Sequence, residues 1–111
     1  LYEEQRPWGH FRCFIKNSRS TVKIISIKPN EILSLQSHQN RAEFWRVLAG
    51  SGKMEVGDMT RNVKVGDEQE IPLGTKHRLS AGKDGMELLE IALGDFDEGD
   101  IVRYEDAYGR V

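Results

Sequence analysis

Apolar and polar positions alternate along the chain in short runs rich in β-branched and aromatic residues, and nowhere does a three-and-four spacing persist long enough for a long helix. The pattern predicts strands at Gly9 to Lys16, Thr21 to Lys28, Ile32 to Gln36, Glu43 to Leu48, Lys53 to Val56, Met59 to Val65, Glu68 to Ile71, His77 to Ala81 and Met86 to Leu93. Turn signals separate them: Lys28-Pro29-Asn30, Gly50-Ser51-Gly52, Gly57-Asp58, Val65-Gly66-Asp67, Pro72-Leu73-Gly74 and Gly82 to Gly85. Gly57-Asp58 is the clearest hairpin, because Gly tolerates the positive φ of a two-residue turn. Strands this short and numerous must close on themselves or stack, since an open sheet would leave long unpaired edges. The expected fold is all-β, a jelly-roll β-barrel forming a single domain over residues 1–111. The tail from Gly94, acidic and then aromatic, is expected to return over the barrel's outside or its mouth.

Side-chain facing points to chemistry inside the barrel. Residues two apart in a strand share a face, so Gln36, His38 and Asn40 are expected to point inward. Glu43 shares a face with Trp45 and Val47, and His77 with Leu79 and Ala81. A carboxylate among apolar neighbours is costly unless a partner or a cation offsets it. Imidazole and carboxylate converging from separate strands form an N/O site for zinc, manganese, iron or nickel. Singly, an inward histidine also fits a hydrogen-bonded core residue, and Glu43 fits half of an ion pair. Glu90 lies between Leu88 and Ala92 on its face, where desolvation would raise its pKa into a range useful for proton transfer. Pairing with Lys23 is the alternative. Trp45 fits the core better than a sugar platform.

Composition narrows the partners. Sixteen Lys and Arg against eighteen Asp and Glu give a net charge of −2 with the signs interspersed, which excludes a phosphate-backbone stripe and hence nucleic acid. The lone Cys13 closes no intrachain disulfide and supplies no thiolate-rich zinc site, in keeping with the cytoplasm. No apolar run approaches the ~20 residues of a membrane span, and Leu1 to Gly9 lacks a signal-peptide core, so a soluble protein without a membrane partner is expected. The missing initiating Met leaves room for a longer parent chain.

The spacing Gly66, five residues, Pro72, one, Gly74, two, His77 resembles the second signature motif of the cupin superfamily, departing only at Ala81, where the motif has Asn. Glu43, six residues, Gly50 resembles the end of the first motif, with His38 at its first histidine. A closer resemblance is to the type II mannose-6-phosphate isomerases. It is carried by Arg6-Pro7-Trp8-Gly9, Leu33 to Gln36, Arg41-Ala42-Glu43 with Trp45, Ile71-Pro72 to His77-Arg78-Leu79, Asp100 to Asp106, and Tyr108-Gly109-Arg110.

The resemblance implies interconversion of mannose 6-phosphate and fructose 6-phosphate, with a sugar phosphate as partner and a homodimer as assembly. It implies a divalent metal, zinc first and manganese, cobalt or nickel as alternatives, held by His38, Glu43 and His77 with Asn40 or water completing the shell. With Glu43 taken up as a ligand, Glu90 is left as the candidate base, and Arg103, within a segment that carries the resemblance, is the other catalytic candidate. Arg41 and Arg110 are implied to bind the phosphate with Arg103, and Gln36 to bind a sugar hydroxyl or support a ligand. One departure bears on the metal. Gln39, Asn40 and Phe44 stand where similar proteins usually have histidines, and an amide oxygen at Asn40 binds zinc more weakly than imidazole. A non-catalytic sugar-binding cupin and another metal-dependent cupin enzyme are the alternative expectations.

Overall fold

The structure, a computed structural model, describes residues 2–110, which form nine strands: β1 (Tyr2–Arg6), β2 (Gly9–Cys13), β3 (Ser20–Ile27), β4 (Leu35–Ser37), β5 (Arg41–Val56), β6 (Met59–Lys64), β7 (Glu68–Ile71), β8 (His77–Gly94) and β9 (Val102–Glu105). β5 and β8 run antiparallel along nearly their whole lengths, from Arg41 opposite Gly94 to Val56 opposite His77. Both are bent, and each contributes to two layers. The first half of β5 and the second half of β8 lie between β7 and β3, while their other halves lie between β6 and β4, with β9 beyond.

The bend explains why four predicted strands became two. Pairing slips between Val47 and Ala49 and again between Gly50 and Gly52. A Cβ on Gly50 would lie 2.1 Å from the Gly85 carbonyl oxygen, and one on Gly52 2.0 Å from that of Ser80. Only glycine permits backbones this close, so Gly50-Ser51-Gly52 folds a continuous strand over instead of ending one. Gly57-Asp58 makes the expected hairpin, with Val56 opposite Met59.

Between the layers pack Trp45, Val47, Met54, Val56, Val63, Leu79, Met86 and Leu88. Trp45, Val47, Leu79 and Leu88 are the inward positions that the alternation predicts. Two strands were not expected. β1, nearly all charged or polar, pairs only with β2 through a turn at Pro7-Trp8, and this hairpin joins the barrel through Phe14 on Phe44 and Arg12 on Glu68. β9 brings the tail back beside β4, whose strand is shorter than predicted, with Ile32 making a single bridge to Ser80. No helix among the described residues is long and apolar enough to cross a membrane.

Candidate metal centre

The bend places residues from distant positions face to face. Glu43 lies near the start of β5, opposite Ala92 and Ile71, whereas His77 opens β8 opposite Val56 at the far end of β5. Folding one layer over the other brings Nε2 of His77 to 3.3 Å from Oε1 of Glu43. His38, just past β4, puts its Nε2 3.6 Å from Oε2 of the same carboxylate. The three candidate ligand atoms lie within 4.8 Å of one another, and all three residues are buried.

Both imidazoles are oriented the same way. Nδ1 of His38 lies 2.6 Å from the Asp100 carbonyl oxygen, and Nδ1 of His77 lies 2.8 Å from that of Thr75. A carbonyl only accepts, so each Nδ1 carries a proton and each Nε2 is turned toward Glu43. Burial lowers the His38 pKa, against the pull of Asp100 and Glu43, which keeps the ring neutral. Nε2 of His77 is buried without a hydrogen-bond partner. An unpartnered imidazole nitrogen beside a buried carboxylate is an arrangement that a cation would satisfy, and two imidazoles with one carboxylate suit a divalent transition metal. The residues fit the group.

A second carboxyl group touches this cluster. Glu90, buried on β8 opposite both Trp45 and Lys23, lies close enough to Glu43 for their carboxyl groups to interact. Burial first, then the contact with Glu43 and its charge, push the Glu90 pKa up to about 8. Burial pushes Glu43 up as well, but its contacts with His77 and Glu90 and its electrostatic interactions with the two histidines outweigh that and bring it to about 2. The pair therefore divides its labour near neutral pH, with Glu90 holding a proton and Glu43 ionised. Lys23 does not pair with Glu90; its ammonium sits 4.1 Å over the Phe96 ring and 3.6 Å from Glu98.

The structure brings most of the remaining site residues together. Gln36 stands opposite His77 on one side and Arg103 on the other, and directly opposed residues share a face, so these three line one wall. Nε of Arg103 is buried without a partner. Arg41 lies within the ligand cluster itself, 3.3 Å from Glu43 and 3.2 Å from His38.

Two expected residues lie elsewhere. The alternation that would turn Asn40 inward stops where β4 ends: Ser37 and His38 are consecutive yet both buried, and Asn40 is exposed, its main-chain N–H donating to Asp100. Arg110 is exposed and ion-paired with Asp106 at 2.6 Å, beside a depression lined by Ile25, Ile27 and Leu33. The sequence reading missed the carbonyl groups of Asp100 and Thr75 that orient the histidines, because main-chain acceptors leave no residue signature. It also missed Phe96, which packs on Arg41.

The family model described as "Mannose-6-phosphate isomerase C-terminal" matches residues 2–106. The chain is 43% identical over 95% of its length to the Xanthan biosynthesis protein XanB of Xanthomonas campestris pv. campestris. It is 40% identical over 98% of its length to the Mannose-1-phosphate guanylyltransferase ManC of Salmonella typhimurium. It spans 23% of the length of each of these relatives. Among solved structures, oxalate decarboxylase from Bacillus subtilis matches with a TM-score of 0.72 at 25% identity, covering 78% of this chain and 24% of that one. Another structure of that enzyme, described by its Mn(II) centres, matches with a TM-score of 0.69 at 21% identity, covering 86% of this chain and 26% of that one. With the family match running almost end to end over a bent double-layered barrel, the chain belongs to the cupin family of mannose-6-phosphate isomerase C-terminal domains.

Proposed function

We propose that this domain is a metal-dependent aldose–ketose isomerase that interconverts mannose 6-phosphate and fructose 6-phosphate, with His38, Glu43 and His77 as its metal ligands. The observation that carries the proposal is the shared orientation: two imidazoles, each with Nδ1 tied to a main-chain carbonyl, turn their Nε2 atoms toward one buried carboxylate. The family match supports the choice of substrate. Zinc is the first candidate, with manganese, cobalt and nickel behind it.

The bound cation would supply Lewis acidity toward the sugar's carbonyl and adjacent hydroxyl oxygens. Moving from aldose to ketose requires a proton to leave C2 and one to arrive at C1, while O2 loses a proton and O1 gains one. Glu90 is the group suited to the carbon-bound proton. Ionised, it takes the proton from C2; protonated, it returns it to C1. Its raised pKa keeps both forms accessible near neutral pH. Glu43, held ionised, stays available as a ligand. Gln36 and Arg103, on the wall beside His77, would hold a sugar hydroxyl and the phosphate.

The test is a coupled assay for fructose 6-phosphate on protein stripped with chelator and resupplied with each metal in turn. Metal-dependent turnover is expected. No turnover with any metal, in folded protein, would leave a sugar-binding cupin without this chemistry. That second reading has one observation behind it: Arg41 already satisfies part of the cluster.

A further inference from the structure

Arg41 stands among the candidate ligands instead of outside them. Its side chain is 8% exposed. Nη2 lies 3.2 Å from Nε2 of His38, Nε lies 3.3 Å from Oε2 of Glu43, and Nη1 donates to the Asp97 carbonyl oxygen at 3.3 Å. On its other side, the guanidinium carbon sits 4.2 Å over the Phe96 ring. Arg41 therefore touches two of the three ligand residues and leaves Nε2 of His77 bare.

Valence makes this contact consequential. With Nδ1–H of His38 committed to the Asp100 carbonyl, its Nε2 has a single lone pair, which receives either an N–H from Arg41 or a cation. A guanidinium also keeps its charge at any pH a protein survives, so it does not step aside by deprotonating. A divalent ion arriving between His38, Glu43 and His77 would meet a full positive charge a few ångströms away.

We propose that Arg41 is a resident cation that competes with the metal for His38 and Glu43, and that metal loading displaces its guanidinium onto the Phe96 and Asp97 side of the site. The proposal rests on the three-ligand metal site of the preceding subsection. Displacement gives the residue two successive roles: it neutralises Glu43 before the metal arrives, and afterwards it presents free donors beside the cation. Those donors suit an anionic group such as a phosphate. The arrangement also weakens metal affinity, because the ion must break the contacts of a guanidinium that is already well placed.

The test pairs a variant with a measurement on the unaltered protein. Arg41→Met keeps an unbranched stem against Phe96 while removing the charge and the donors. In calorimetric zinc titrations of chelator-stripped protein, it is expected to bind at least about tenfold more tightly than wild type, since a like charge beside the ion is gone. In wild-type protein labelled with 15N, the Arg41 Nη–H signals are expected to be separate without zinc, when each nitrogen is held, and to coalesce at saturating zinc as the guanidinium begins to rotate. Equal or weaker zinc binding by folded Arg41→Met, or Nη–H signals that stay separate at saturation, would overturn the competition and leave the metal site standing. If Arg41→Met does not fold, the wild-type spectrum decides. Zinc binding by neither protein would overturn the metal site itself, and the competition with it.

Discussion

The inner faces of β5 and β8 carry two kinds of burial. Toward the middle of the barrel, Val47, Met54, Leu79 and Leu88 are each no more than 1% exposed and belong to the apolar core cluster. A few residues away on the same strands, Arg41, Glu43, His77 and Glu90 are nearly as buried, yet all are polar or ionisable. The apolar end gains free energy from every group it removes from water. The polar end loses free energy by desolvation and recovers it only through contacts that its members make with one another. One backbone thus holds a stabilising half and a half kept for chemistry, and substitutions in the two should fail in different ways.

The largest effect is expected at the apolar end. Leu88→Ala should lower folding stability by about 2–5 kcal/mol in urea titrations, since a fully buried leucine leaves a cavity that the surrounding strands cannot close. Zinc affinity, measured where the variant is still folded, should stay near the wild-type value. His77→Leu should reverse the pattern. Its similar volume avoids a cavity, so the stability loss should stay below that of Leu88→Ala, while loss of a candidate ligand should exceed the 10–100-fold penalty typical of losing an outer partner of a metal site. If Leu88→Ala abolished zinc binding in folded protein, or His77→Leu unfolded the domain, the division between the two ends would be wrong.

The two ends also differed in how far the sequence revealed them. Alternation exposed the apolar end directly, because Trp45 and Val47, or Leu79 and Ala81, declare an inward face by themselves. The candidate ligands were legible in a weaker way. Glu43 and His77 are odd residues on otherwise apolar faces, but what makes them a site is the fold of β5 at Gly50 and Gly52, which reads locally as a turn. Asn40 shows the limit of strand arithmetic: the period of two holds only while the strand lasts, and β4 ends at Ser37. Arg41 was legible as a cation and not as a ligand-cluster residue, because its position depends on the tail that crosses back with Phe96 and Asp97.

The shared carboxyl pair gives the polar end a pH signature that the apolar end lacks. Glu90 is raised in the folded state, so its contribution is complete below the unfolded carboxylate range and falls as pH rises toward and past about 8. Glu43 is lowered, so its contribution is present above that range and falls as pH drops toward about 2. Stability measured in chelator should therefore decline from mildly acidic to mildly alkaline pH. Glu90→Gln, which stays neutral and still offers an N–H to Glu43, should flatten that decline and change stability little at acidic pH. An unchanged slope in Glu90→Gln would mean that Glu90 is not the group holding the proton.

The smallest effect is expected at the rim, where Asp100 ties the returning tail to the loop that carries His38. Its carboxylate accepts the main-chain N–H groups of Gln39 and Asn40, both at 2.9 Å, while its carbonyl accepts from His38. Those two N–H groups lower the Asp100 pKa, so this support is present above the usual aspartate range and lost as pH falls below it. Asp100→Asn keeps the carbonyl and one side-chain acceptor but loses the charge and the second oxygen. Zinc affinity should fall by about tenfold, the mild end of what outer partners of a metal site contribute, with the barrel's urea midpoint nearly unchanged. The acid-side loss attributable to Asp100 should disappear in the same variant. A drop in the urea midpoint as large as that of Leu88→Ala would instead make the rim part of the stabilising half, and the boundary between the two kinds of burial would have to be redrawn around the tail.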